Sequence, residues 1–289
     1  MDRGSTARRR RIRTWGIATG VTLVAGALTG IAVAAAIHMP RVETADFNPG
    51  VITRLYDRTG EPFQSYARER RVMLAEGEVP PVLQNALLAA EDANFFQHGG
   101  IDAQGAVRAA VINVTRGGRS HGGSTLTMQL ARQIFLTPEK LWRRKIEESL
   151  LAVEIEKRYS KQQILTMYCN LVNVGHGNYG MKAAARYYFD KEPADLEAQE
   201  AAMLVGIVQR PSDYSPYRKP DVVRNRRDYV LRRMLEEGYL DPAAFERATA
   251  SDLGVVRRRR EPLTAPYFAA EGRKYLEQRF GSESPLQDG

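Results

Sequence analysis

The sequence predicts a mainly α protein: a helical domain with a small N-terminal β-hairpin, preceded by one transmembrane helix. Three observations carry this expectation. Helix formers dominate between residues 80 and 250, and β-branched runs there are few. VITRLYDRTGEPFQSY (Val51–Tyr66) alternates and turns at Asp57-Arg58-Thr59-Gly60, a hairpin signal. WGIATGVTLVAGALTGIAVAAAI (Trp15–Ile37) runs for 23 residues without a charge, and a helix needs roughly 20 apolar residues to cross a bilayer.

Taken in order, residues 1–13 form a basic tail, 14–38 the transmembrane helix, 39–50 a linker, 51–263 the helical domain and 264–289 a linker-like tail. The tail holds Arg3, Arg8, Arg9, Arg10, Arg11 and Arg13 against Asp2, so five of the formal net charge of +8 lie there. Positive charge that lies largely in a tail does not suit a nucleic-acid-binding body, and nucleic acid is not an expected partner. Arginines on the N-terminal side of the apolar run predict that end in the cytoplasm and the remainder outside. A cleaved signal peptide is the competing reading, with Ala34, Ala35 and Ala36 near a cleavage point, but the run is longer than the usual apolar region of about 7–15 residues. Gly16/Gly20 and Gly26/Gly30 have a helix-pairing spacing, a weak signal in so Gly-rich a segment.

In the domain, Pro80-Pro81 opens a helix that runs through Ala90. Further helices are expected near 102–115, 124–135, 140–158, 161–170, 178–188, 195–208 and 221–237, with a Gly/Arg-rich crossing over 105–121. At 289 residues and 43% hydrophobic content the chain can build a real core. Its one cysteine, Cys169, excludes an intramolecular disulfide and sits in the apolar pattern ILTMYCNLV, where it reads as a buried small hydrophobe. The four histidines (His38, His98, His121, His176) form no zinc spacing.

The chemistry begins with EDANFFQHGGID, Glu91 to Asp102. Leu83, Leu87 and Ala90 mark a core stripe, and Glu91 lies one turn beyond Leu87, at the apolar edge and the negative end of the helix. Desolvation and the helix dipole both disfavour its charged form, so a raised pKa is expected, as in a general base near neutral pH. A capping or salt-bridged glutamate is the equal alternative from this motif alone. Asp92, Phe95 and His98 are expected to orient the site, His98 as a buried hydrogen-bonding residue. In HGGSTLTMQLAR, His121 to Arg132, Gly122-Gly123 permits a tight turn and Ser124 reads as the N-cap of a helix whose free N–H groups attract an anion. Thr125, Gln129 and Arg132 share one face of it; Leu126, Leu130 and Ile134 line another. Next, in Lys140–Lys161, Glu148 shares a face with Ala152 and Ile155 and needs a cation, for which Arg144 and Lys145 are at hand. An ordinary surface pair there would contribute only a few tenths of a kcal/mol. An acid beside a phosphate cradle on a membrane-anchored chain suggests chemistry on a lipid-linked phosphate.

These segments together resemble the peptidoglycan glycosyltransferases, the glycan-polymerising module of class A penicillin-binding proteins and of monofunctional transglycosylases. The resemblance runs from about Val51 to about Phe280. It is carried by EDANFFQHGGID, GGSTLTMQLAR, RRKIEESLLAVEIEKRYSKQQILTMYCNLVNVG, GNYGMKAAARYYFDK and AAMLVGIVQRPSDYSP, in that order. It implies a lysozyme-like helical fold and an inverting enzyme that polymerises lipid II into β-1,4-linked glycan with release of undecaprenyl pyrophosphate. Glu91 matches the catalytic base and Glu148 the second essential glutamate, near the leaving pyrophosphate. Gly123, Ser124, Thr125, Gln129, Arg132, Lys140, Arg144 and Lys145 match positions used around phosphates and sugars, with Asp92, Phe95 and His98 beside them. The resemblance admits a divalent cation, Mg2+ or Mn2+, near Glu148, and no organic cofactor. Implied partners are lipid II, the lipid-linked growing strand, the membrane and other cell-wall synthesis proteins.

Met128, Cys169, Arg132, Gln209 and Arg210 depart from the family's usual residues. Arg132 for the common Lys turns a point contact into a fork. Thr264–Gly281 resembles the segment that leads to a transpeptidase domain, and no Ser-x-x-Lys motif occurs. This chain alone is therefore not expected to crosslink peptides, and a truncated bifunctional enzyme is favoured over a monofunctional relative with a long tail. Two other readings stand beside the polymerase: a lysozyme-like glycan-cleaving enzyme, which gives no reason for an anion cradle, and a non-catalytic lipid II-binding module, which gives no reason to keep both glutamates.

Overall fold

The computed structural model describes residues 26, 53–60, 62–66, 70–106, 123–135, 141–256 and 266–280. The basic tail, the linker 39–50, the Gly/Arg-rich crossing from 107 on, Lys140 and all of the apolar run except Gly26 lie outside these residues. Among the described residues no helix is long and apolar enough to cross a membrane.

The expected hairpin is present. Strand β1 (Thr53–Tyr56) pairs antiparallel with β2 (Pro62–Tyr66), Thr53 opposite Tyr66. Asp57 closes the turn by accepting from the Thr59 N–H at 2.8 Å and the Thr59 hydroxyl at 2.6 Å. A second pair is parallel, β3 (Arg70–Arg71) with β4 (Asn178–Tyr179), and was not anticipated. Two residues per strand are too few to leave a period-2 signal.

The domain is mainly helical, as expected. Helix α1 (Pro81–Glu91) starts with proline at its first position, where a missing N–H costs nothing. Helices α2 (Leu126–Phe135), α3 (Leu141–Arg158) and α4 (Lys161–Leu171) follow and pack on one another. Ser160 and Gln163 form a reciprocal capping box that starts α4 directly after α3 ends. Then come α5 (Met181–Phe189), α6 (Ala198–Val208), α7 (Pro220–Glu236), α8 (Pro242–Ala250) and α9 (Pro266–Phe280). Helix α6 is apolar on nearly every side, with Ala201 through Ile207 all buried, and it packs against both α1 and α7. A helix apolar all round belongs in the interior.

Core residues come from both helix groups: Leu83 and Leu87 of α1, Leu126 and Leu130 of α2, Leu151 of α3, and Ile164, Leu165 and Tyr168 of α4 are fully buried. Each such aliphatic side chain contributes roughly 1.5–3 kcal/mol by leaving water. Cys169 is buried among them as expected, and burial pushes its thiol far up. Arg227 of α7 is buried too, its guanidinium donating to the carbonyls of Thr249, Ser251 and Asp252 at the end of α8.

Boundaries shift where side chains intervene. The helix expected from 124 starts at 126. The one expected from 178 starts at 181, because 178–179 is strand. Ile134, grouped from sequence with Leu126 and Leu130 on one face of α2, is 37% exposed, whereas those two are fully buried. Only a helical turn at 103–106 is described of the helix expected over 102–115. Helix α8 was not anticipated, although Asp241-Pro242 is a readable start: Asp241 Oδ1 accepts from the Ala244 N–H at 2.7 Å. The segment 264–281, expected as a linker-like tail, carries α9.

Candidate active site

The C-terminal end of α1 and the N-terminal end of α2 meet at Asp92. Its Oδ2 accepts from the Leu126 N–H, the first of α2, at 2.9 Å, and both carboxylate oxygens face His98 Nε2 at 3.0 and 3.1 Å. His98 Nδ1 accepts from the Gly100 N–H at 3.2 Å, so the hydrogen-bond network places the imidazole proton on Nε2. His98 is thus a buried hydrogen-bonding residue that holds Asp92.

Two sequence expectations are corrected here. The N-cap of α2 is Thr125 and not Ser124: Thr125 Oγ1 accepts from the Met128 N–H at 3.1 Å and donates to Gly100 O at 2.7 Å. The anion at the N-terminus of α2 is the protein's own Asp92 carboxylate, 34 residues away in sequence, which the helix dipole stabilises. Phe95 is fully buried, with the Lys161 ammonium 4.4 Å over its ring. It is a core residue beneath the motif and does not line the cleft.

Glu91, the last residue of α1, opens into a cleft of about 350 Å³. Asp92, Gly123, Ser124, Thr125, Gln129 and Arg132 line it from one side, and Gln209, Arg226, Tyr229 and Arg233 from the other. The Glu91 side chain is 16% exposed. Gln129 Nε2 donates to its Oε2 at 2.9 Å, while Arg226 Nη2 stands 3.9 Å from Oε1. Burial holds the Glu91 pKa above the ordinary carboxylate value of 4.5, and the Gln129 bond, Arg226 and Arg132 only partly offset it. The raised pKa expected from sequence is therefore present, with desolvation as its main cause.

Glu148 on α3 is 1% exposed and lies behind the cleft wall, sharing its buried face with Ala152 and Ile155. Three cations converge on it: Lys145 Nζ at 2.9 Å, Arg144 Nε at 3.4 Å and Arg132 Nη1 at 3.8 Å. Lys145 also donates to Ser124 Oγ at 2.5 Å, which ties α3 to the glycine loop. The cations stay partly open, at 43%, 28% and 42% side-chain exposure in the same order. A divalent cation does not fit this arrangement, because both carboxylate oxygens already face cations. Among the described residues no three His, Cys, Asp or Glu side chains cluster as a metal site.

A family profile described as Transglycosylase matches residues 59–235 of this chain. The chain belongs to the transglycosylase family. Penicillin-binding protein 1A of Aquifex aeolicus is 37% identical over 235 residues, covering 81% of this chain and 32% of the relative. Penicillin-binding protein 1F of Bacillus subtilis is 39% identical over 217 residues, covering 75% of this chain and 30% of the relative. The crystal structure of penicillin-binding protein 1A from Haemophilus influenzae shares the fold with a TM-score of 0.50 at 21% identity, over 84% of this chain and 26% of that one. The chain spans about a third of the length of the curated relatives it matches. Family and relatives make it a peptidoglycan glycosyltransferase module of the class A penicillin-binding protein type.

Within this cleft the structure brings together Glu91, Asp92, Gly123, Ser124, Thr125, Gln129 and Arg132, and groups Arg144, Lys145 and Glu148 directly behind. Sequence reading missed the opposite wall. Arg226, Tyr229 and Arg233 follow i, i+3, i+7 spacing on α7 and so share a face, with the Arg226 guanidinium 4.4 Å over the Tyr229 ring. Gly206 of α6 makes room for this wall, since a Cβ there would lie 3.1 Å from Arg226 Cγ.

Proposed function

We propose that this cleft polymerises lipid II, with Glu91 as general base, on a lysozyme-like helical scaffold anchored to the outer face of the bacterial inner membrane by Trp15–Ile37. Glu91 takes the proton of the acceptor sugar's 4-hydroxyl as that oxygen attacks the anomeric carbon of the donor. The bond from the anomeric carbon to the pyrophosphate oxygen breaks, and the lipid pyrophosphate leaves with its electron pair. Attack from the face opposite the leaving group turns an α-linked donor into a β-1,4 link.

The observation that carries this reading is the pairing of a desolvated carboxylate with a separate cationic group. A raised pKa makes Glu91 a competent proton acceptor near neutral pH. Three cations gathered on one buried carboxylate leave two positive charges in excess at Glu148, which suits a departing pyrophosphate. Glu148 acts here as the counter-charge that assembles Arg132, Arg144 and Lys145. No step needs a metal at Glu148. Its lipid-linked substrates and a membrane anchor belong to the same reading, as does contact with other cell-wall synthesis proteins.

A glycan-cleaving enzyme has no use for the cationic group, because it breaks an uncharged bond with an acid and a second carboxylate. The discriminating experiment is incubation of the full chain with labelled lipid II in detergent, with products resolved by size, beside incubation with preformed glycan. Long glycan from lipid II is expected. Shortening of the preformed glycan with no polymer from lipid II would replace this reading with the hydrolase.

A further inference from the structure

The Glu91 carboxylate is held through a half-buried chain of polar groups whose far end is the fully buried Tyr168 on α4. Tyr168 is fully buried, and its hydroxyl donates to Gln129 Oε1 at 3.1 Å. The same amide's Nε2 donates to Glu91 Oε2 at 2.9 Å. A glutamine amide has a donor end and an acceptor end, so its orientation decides what Glu91 faces. With Nε2 towards Glu91 the ionised carboxylate is stabilised. With Oε1 towards it, only the protonated acid could bond.

Tyr168 breaks this symmetry. Among the described residues Gln129 is the hydrogen-bond partner of its hydroxyl. In the flipped arrangement the amide N–H would donate to the phenol oxygen, and the buried O–H proton would lose its acceptor. Leaving a buried donor unmet is costly. Burial also drives the Tyr168 pKa well upward, so the phenol stays protonated and remains a donor.

We propose that Tyr168 is a positioning residue for the general base, acting through the Gln129 amide to keep a donor aimed at Glu91. This rests on the reading of Glu91 as the base. The other charged groups around Glu91 are Arg226 and Arg233 of α7, Arg132 of α2, Asp92 next in the chain, and Asp102 across the cleft. Helix α6 contributes Val208 at the cleft, with uncharged Gln209 following it. Among these groups only Gln129 donates a hydrogen bond to Glu91 at normal length, which makes its orientation the adjustable element.

The test is the pH profile of kcat/KM for lipid II polymerisation by the full chain in detergent, for wild type, Tyr168→Phe, Gln129→Leu and the double variant. The activity of a general base rises as pH climbs through its pKa, so a lost donor moves that limb upward. Tyr168→Phe, which leaves the Gln129 amide present but free to turn, is expected to move it up by a fraction of the roughly one pH unit that one hydrogen bond to a charged group represents, with activity converging on wild type well above the limb. Gln129→Leu is expected to move it the same way, and Tyr168→Phe added to Gln129→Leu to move it no further. Ile164→Val, a buried change on the same helix, serves as the packing control and should leave the limb in place. A uniform loss in Tyr168→Phe with an unmoved limb would make Tyr168 merely a core residue. An additional shift in the double variant would show that it does not act through Gln129. Should Tyr168→Phe fail to fold, an unmoved limb in Gln129→Leu overturns the proposal by itself. Glu91→Gln measured alongside separates the two layers: an active Glu91→Gln rejects the base, whereas an inactive one with an unmoved Tyr168→Phe limb rejects this inference alone.

Discussion

Replacing Asp92 by alanine removes one carboxylate from the junction of α1 and α2, and its cost can be worked from three contacts. The His98 Nε2–H and the Leu126 N–H both lose their acceptor. Both donors are buried, His98 with a side chain 7% exposed and Leu126 fully buried. Each orphaned donor costs about 1–3 kcal/mol. Losing the anion at the α2 N-terminus adds roughly 0.3–1 kcal/mol. Asp92→Ala should therefore destabilise the chain by about 3–5 kcal/mol. Asp92→Asn behaves differently, because a carbamoyl oxygen at the Oδ2 position keeps the Leu126 N–H at 2.9 Å and His98 at 3.1 Å. The charge is lost and the amide nitrogen, at the Oδ1 position, meets the His98 Nε2–H donor to donor at 3.0 Å, so a cost of about 2 kcal/mol, below that of alanine, is expected. Denaturant unfolding of the full chain in detergent, followed by circular dichroism, measures both. An Asp92→Ala variant within about 0.5 kcal/mol of wild type, the range of an inconsequential surface change, would refute the assignment of Asp92 as the structural anion of α2. Equal losses for Asn and Ala would refute the argument from geometry.

Three further outcomes follow from the same contacts. Gly100 has φ +96°, and a Cβ there would lie 2.8 Å from the carbonyl of Ala152 on α3; Gly100→Ala should cost at least about 2 kcal/mol, read by the same unfolding experiment. Glu148→Gln removes the counter-charge of Arg132, Arg144 and Lys145 and should lower kcat/KM about 100-fold with circular dichroism unchanged; activity within a factor of about two would reject the counter-charge role. Because burial raises the folded pKa of Glu91, the stability linked to that group is full below the ordinary value of 4.5 and lost as pH rises through the raised value. Glu91→Gln should therefore be more stable than wild type at neutral pH, with the difference closing towards pH 4; thermal unfolding across that range measures it, and a less stable variant at neutral pH would contradict the raised pKa.

Much of this architecture was legible because it is local. The hairpin followed from Asp57-Arg58-Thr59-Gly60, α1 from Pro80-Pro81 and its apolar spacing, and the buried face of α3 from Glu148, Ala152 and Ile155. What escaped was set by long-range contact. Nothing near Ser124 says that a carboxylate from residue 92 occupies the helix end, or that Ser124 turns instead to Lys145 on α3. Phe95 read as a site residue because it sits in the motif, yet the motif's backbone turns it inward to the core. Arg226 was hidden among the arginines of α7, five of which lie between 224 and 233. Spacing alone pairs Arg226 with Tyr229 and Arg233, but only the packing of α7 on α6 and α1 shows that this face lines the cleft. The parallel β3–β4 pair is too short to leave a pattern.

The central claim is that Glu91 removes the acceptor proton during polymerisation. Its most direct test is single-turnover elongation of labelled lipid II by Glu91→Gln against wild type, with lipid II affinity and circular dichroism measured on both. Elongation should fall to background in the variant while affinity and fold stay at wild-type values, because glutamine keeps the shape and cannot take the proton. Elongation at a comparable rate by a folded Glu91→Gln would show that another group is the base.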